Sequence, residues 1–260
     1  MMRYRLVTVI AAAAALATLA VGCSSDSSGA TSAPTTVGGT ITVLAAASLQ
    51  EAFTTLGQQF EAANPGTKVQ FSFGGSSALA EQINSGAPAD VFASASPTNM
   101  KQVVDAGGAS TSTTFAKNVM EIAVPPSNPA NVTSVSDLAK STVKVALCQP
   151  QVPCGAVAVQ VFQNAKISVT PVTLESDVKS TLSKVELNEV DAGLVYVTDV
   201  RSAGDQVLGI AIPDEINAST EYPIAALTDA PNAVGAQAFV GFVLSPAGRS
   251  VLTAVGFEVP

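Results

Sequence analysis

Apolar positions change period regularly along the chain. Thr40-Ile41-Thr42-Val43-Leu44 is rich in β-formers and runs into Ala45-Ala46-Ala47. Ser48, with Glu51 three residues later, has the capping-box pattern of a helix start. Leu49, Ala52, Phe53, Leu56, Phe60 and Ala63 then recur at helical spacing until Asn64-Pro65-Gly66 stops them. Lys68 to Phe73 alternates as a strand and halts at Gly74-Gly75-Ser76-Ser77, a helix covers Ala78 to Asn84, and Asp90 to Ala93 is a short strand. Ser96 is an N-cap with Pro97 at the first helical position. This alternation predicts an α/β fold, its sheet largely parallel in this half and covered by helices on both faces. A new strand is predicted over Val119 to Val124, with others over Val143 to Leu147 and Ala192 to Tyr196. Helices are predicted over 137–140, 155–165, 176–188, 233–244 and 247–255. The roughly 220 residues from Thr40 onward suit two linked lobes.

Composition narrows the chemistry. Hydrophobic side chains make up 47% of the 260 residues, enough for real cores and too many for a disordered chain. His and Trp are absent, which excludes a Ser-His-Asp triad, a Cys-His pair and His-ligated zinc. Twelve basic residues face 20 acidic ones, with no basic stripe, so no nucleic-acid partner is expected.

The N-terminus reads as an address. Met1 to Arg5 form a basic start, and Leu6 to Val21 are apolar or small apart from two threonines, too short a run to span a membrane comfortably. The run ends Leu19-Ala20-Val21-Gly22-Cys23, which resembles a bacterial lipobox with its leucine one place early. The expectation is a signal peptide over 1–22, a lipid anchor on Cys23 and a Ser/Thr-rich tether over 23–39, placing the protein on the outer face of the cytoplasmic membrane. Loss of the leader removes Arg3 and Arg5 and no acid, which takes the net charge from −8 to about −10. Of three cysteines, Cys148 and Cys154 then remain, around the Pro-braced loop Gln149-Pro150-Gln151-Val152-Pro153. An oxidising compartment favours a disulfide there, while a metal site lacks histidines or nearby carboxylates.

The candidate chemistry sits where strands run into helices. Turns at Ser48, Ser76-Ser77, Cys154-Gly155 and Asp177-Val178 each open a helix, whose first N–H groups lack partners and carry the positive end of its dipole. Several such ends converging on one cleft make an oxyanion site without Lys or Arg.

Ala45-Ala46-Ala47-Ser48-Leu49, Phe73-Gly74-Gly75-Ser76-Ser77-Ala78-Leu79-Ala80 and Gly86-Ala87-Pro88-Ala89-Asp90-Val91-Phe92 resemble the periplasmic molybdate-binding proteins of ABC transporters. So do Asp177-Val178 and Gly193-Leu194-Val195-Tyr196. The resemblance implies a two-lobed periplasmic-binding-protein-like fold of type II, with mixed sheets flanked by helices and the ligand in the interlobe cleft. Lobe 1 is expected over 40–118 and 228–260, lobe 2 over 119–227. It also implies a molybdate or tungstate ligand, no cofactor, no enzymatic activity, and a permease–ATPase complex as partner to a monomer. Its donors fall on Ser48, Ser76, the backbone N–H of Cys154 and Val178, and the Tyr196 hydroxyl. Cys154 stands where the family commonly has alanine, but a main-chain donor survives that change. Asp177 is expected to cap its helix, facing away. Tyr222 is assigned only packing or a lobe crossing, and Asp199, Asp205, Asp214 and Glu215 a solvated face.

Other solutes fit less well. Ferric iron would want paired tyrosines with carboxylates, and a sugar would want aromatic platforms where aromatics total 5%. Sulfate differs from molybdate only in size. A serine hydrolase built on Ser76 or Ser77 would need a lysine base, and no Ser-x-x-Lys opens that helix.

Overall fold

A computed structural model describes residues 37–260. The expected signal peptide, the lipidated Cys23 and all but the end of the tether lie outside the described residues.

The first part of the chain forms β1 (Gly39–Ala46), α1 (Gln50–Ala63), β2 (Thr67–Gly74), α2 (Ser76–Asn84), β3 (Val91–Ala93) and α3 (Pro97–Asp105). β4 (Thr113–Val124) and β5 (Val145–Cys148) follow, then α4 (Pro153–Ala165), β6 (Thr173–Glu175), α5 (Val178–Glu186), β7 (Ala192–Tyr196) and α6 (Val197–Ala203). The chain closes with β8 (Leu208–Ala211), β9 (Ser219–Ala226), α7 (Ala233–Leu244) and α8 (Pro246–Val255). α1 is one-sided as its spacing predicts, with Ala52, Phe53, Leu56 and Phe60 buried. The helix expected over 137–140 is a 3-10 turn over Val135–Ala139.

The described strands form one mixed sheet in the order β2-β1-β3-β9-β4-β7-β5-β6, with β8 also on β4. β1 pairs in parallel with β2 and β3, and β5 with β6 and β7, because helices supply the crossovers. Around the middle the pairing is antiparallel. β4 pairs with β9 over Thr113–Val119, then with β7 over Met120–Ala123. One long strand thus belongs to both halves of the sheet.

Each half has its own core. Ile41, Val43, Phe53, Phe60 and Phe239 fill the first, where Phe60 and Phe239 meet edge-on at 5.3 Å between ring centroids. Met120, Ile122, Val145, Leu182 and Leu194 fill the second. β9 pairs with β3, and its Tyr222 and Ile224 pack in the first core.

Candidate functional site

Three helices start at one cavity. α2 opens at Ser76, α4 at Pro153 and α5 at Val178, and each directs its unpaired first-turn N–H groups at the gap between the two cores. The cavity, small at about 10 Å³, is lined by Ala46, Ala47, Ser48, Gly74, Gly75 and Ser76 from the first half and Ala95 from the turn after β3. Val152, Pro153, Cys154, Asp177, Val178 and Tyr196 line it from the second half. Ser48, Ser76, Cys154, Val178 and Tyr196, drawn from five separate segments, all border it.

Local geometry explains each placement. Ser76 is the first residue of α2 and is buried; its Oγ accepts a hydrogen bond from the Ala95 N–H at 2.9 Å, which leaves the hydroxyl proton for a ligand. Pro153 has no N–H to give, so Cys154 supplies the first donor of α4. Cys154 is joined to Cys148 by a disulfide, with Cα atoms 5.8 Å apart. At Gly155 a Cβ would strike the Gln149 carbonyl, so the helix start lies directly on the loop the disulfide closes. Asp177 caps α5, accepting from Ser180 N at 2.9 Å through Oδ1 and from Ser180 Oγ at 2.9 Å through Oδ2. The acidic residue on the cavity wall therefore spends its carboxylate on its own helix.

Gly75 and Lys179 are two of the places where the halves approach closely. Gly75 faces the Ser176 carbonyl so tightly that a Cβ would collide with it. Lys179 Nζ lies 2.8 Å from Glu51 Oε1, across the gap, and 3.3 Å from Asp199 Oδ1 on its own side.

Tyr196 is 1% exposed, and its hydroxyl has no hydrogen-bond partner among the described residues. Burial, reinforced by Tyr222 and the Asp199 charge, pushes its phenol well above the ordinary range, so it stays protonated and can only gain by donating.

Three sequence expectations are corrected here. Ser48 forms no capping box: it lies in a 3-10 turn over Ala47–Leu49, α1 begins without a side-chain cap, and the Ser48 Oγ sits 2.9 Å from the Tyr222 hydroxyl. Tyr222 is therefore more than packing. Asp199 is fully buried, not solvated; its Oδ2 accepts the Tyr196 N–H at 3.1 Å, and burial raises its pKa to about 6 although Lys179 opposes that rise. Lys179 and Gly75 also escaped the sequence reading. Gly75 carried a signal, standing in a Gly-Gly-Ser-Ser turn, whereas nothing local marks Lys179.

Hydroxyls and main-chain donors from two halves, with the Asp177 carboxylate spent on its own helix, make a cavity suited to holding a small solute. The chain belongs to the bacterial extracellular solute-binding protein family, which it matches over residues 41–258. Among its relatives, the molybdate-binding protein ModA of Mycobacterium tuberculosis is 42% identical, over 92% of this chain and 93% of the relative. ModA of Escherichia coli is 32% identical over 85% and 90%. The solved periplasmic molybdate-binding protein of Azotobacter vinelandii shares the fold, with a TM-score of 0.74 at 19% identity, covering 85% of this chain and 99% of that one.

Proposed function

We propose that this protein captures molybdate, and tungstate with it, outside the cytoplasmic membrane and delivers it to the permease–ATPase complex of an ABC importer. It works as a monomer anchored by a lipid on Cys23. The lobes run over 40–118 with 219–260 and over 119–218, and the ion lies between them, held by the hydroxyls of Ser48, Ser76 and Tyr196 and the N–H groups of Ser48, Ser76, Cys154 and Val178.

The observation that carries this reading is the fully buried Tyr196 hydroxyl without a partner, in a cavity walled by helix starts. A donor left unsatisfied in the interior costs about 1–3 kcal/mol, and an oxyanion relieves it. Molybdate and tungstate are dianions near neutral pH, with four acceptor oxygens and no proton. A set of donors alone suits them. Identity of 42% to a ModA over nearly the whole chain supports the same ligand.

Isothermal calorimetry on the full-length chain tests the reading with molybdate, tungstate, sulfate and phosphate in turn. Tight binding of the two metal oxyanions, with sulfate far weaker and phosphate weaker still, is expected. Sulfate binding as tightly as molybdate would reassign the protein to a smaller anion.

A further inference from the structure

We propose that Tyr222 fixes Ser48 as a hydrogen-bond donor, and that this buried hydroxyl pair selects fully deprotonated oxyanions over protonated ones. The inference rests on the reading that Ser48 touches the ion.

Ser48 Oγ and Tyr222 Oη lie 2.9 Å apart, and both residues are buried, Tyr222 completely. Each hydroxyl carries one proton, so only one of them donates to the other. The Tyr222 ring has little freedom to turn away: it meets Phe115, Tyr196 and Phe257 edge-on, at 6.3, 6.3 and 5.2 Å between centroids. If Tyr222 donates, Ser48 Oγ is satisfied as an acceptor and its own proton points into the cavity. If Ser48 donates instead, the Tyr222 proton turns to the Tyr196 hydroxyl beside it, and the cavity loses the Ser48 donor. A dianion at the cavity favours the first arrangement, since hydrogen bonds in a chain polarise one another. Burial also holds the Tyr222 phenol above its ordinary range, so it does not shed the proton.

Specificity follows from the same two protons. Hydrogen phosphate brings an O–H of its own that needs an acceptor. Ser48 could receive it only by turning its own proton away from the cavity, which gives up the donor that a dianion uses. Removing the Tyr222 hydroxyl frees Ser48 to rotate and to serve either role. Tyr222 is thus a positioning residue acting through Ser48.

Double-mutant calorimetry with molybdate, and competition with inorganic phosphate, on the full-length chain tests this. Tyr222→Phe should weaken molybdate about tenfold, the upper end for one hydrogen bond between neutral groups, and bring phosphate binding into range. Ser48→Ala with Tyr222→Phe should be no weaker than Ser48→Ala alone, whereas Ser76→Ala with Tyr222→Phe should show both losses multiplied. If Ser48→Ala leaves molybdate affinity unchanged, the site assignment itself falls, and this inference with it. If Ser48→Ala weakens binding but Tyr222→Phe does not, or the two losses multiply, only the pairing is overturned. Phosphate still undetectable in Tyr222→Phe overturns the selectivity. Should that variant fail to fold, tyrosine Cζ-labelled NMR of the unsubstituted molybdate complex reads the polarity directly; a Tyr222 signal shifted to the acceptor side overturns the pairing.

Discussion

Tyr196 and Asp199 stand three residues apart and meet burial with opposite consequences. The phenol, raised well above its usual range, remains a neutral donor. The carboxyl, raised to about 6, carries a cost when ionised that Lys179 only partly offsets. Between pH 4 and pH 6 the folded chain keeps a proton on Asp199 that the unfolded chain has released. Its contribution to stability therefore falls as pH rises through that window and levels off above it. The total amounts to about 3 kcal/mol for a shift of some two units. Asp199→Asn should flatten this dependence; the check is the difference between wild-type and variant unfolding free energies in urea, measured from pH 4 to pH 7. A difference that stays constant would mean that Asp199 titrates as an ordinary surface acid. For the ligand, Ser48→Ala, Ser76→Ala and Tyr196→Phe should each weaken molybdate by about 1.5–3 kcal/mol, read by calorimetry. Ser76→Ala should also lower the melting temperature without ligand, because the Ala95 N–H loses its acceptor. The role of Ser48 was the hardest of these to read in advance. Its nearest chain neighbours offered a capping box, and a tyrosine 174 residues away took the hydroxyl instead.

At the scale of single elements, Gly75 shows how little side chain the two halves tolerate between them. Its backbone angles, φ −65° and ψ 129°, are open to any residue, so no conformational strain demands glycine. Only the Ser176 carbonyl across the gap does. Gly75→Ala should therefore leave the unliganded melting temperature unchanged while weakening molybdate tenfold or more, since the halves could no longer close. Equal losses in both measurements would make Gly75 a residue of the local fold. A helix with a clear apolar face, α1, was legible from spacing, and the start of α3 from the Ser96-Pro97 cap. β6 has three residues, too few to show alternation, and β8 exposes Leu208 and Ala211 at its ends. α6 begins at Val197 with no break after the buried β7, so no composition change announces it. The matched positions that border the cavity sit on strand-to-helix turns, which repeat in sequence. The charged group linking Glu51, Lys179 and Asp199 is assembled from three distant segments and leaves no such trace.

Considered whole, the molecule is an acidic body with an anion as its proposed ligand. The chain carries a net charge of −8, which repels the ion it is proposed to capture. The repulsion reaches about 30 Å at 0.01 M salt and about 8 Å at 0.15 M. Stopped-flow measurement of molybdate association should give a rate constant that rises severalfold between those two concentrations. A rate that falls with salt would require a local basic funnel at the cavity mouth. The two-lobed class was legible from alternation and length, whereas Tyr222-Pro223-Ile224-Ala225 fits either half until its strand partners are known.

β4, shared by both halves of the sheet, makes the connection between them a hydrogen-bonded ribbon and not a slack cord. Bringing the jaws together must then bend or twist that ribbon, which stores work as a leaf spring does. On the proposed function, the ion would supply that work on binding, and the recoil would help to release it. Affinity can therefore be tuned by residues along β4 that never meet the cargo, with the choice of cargo left intact.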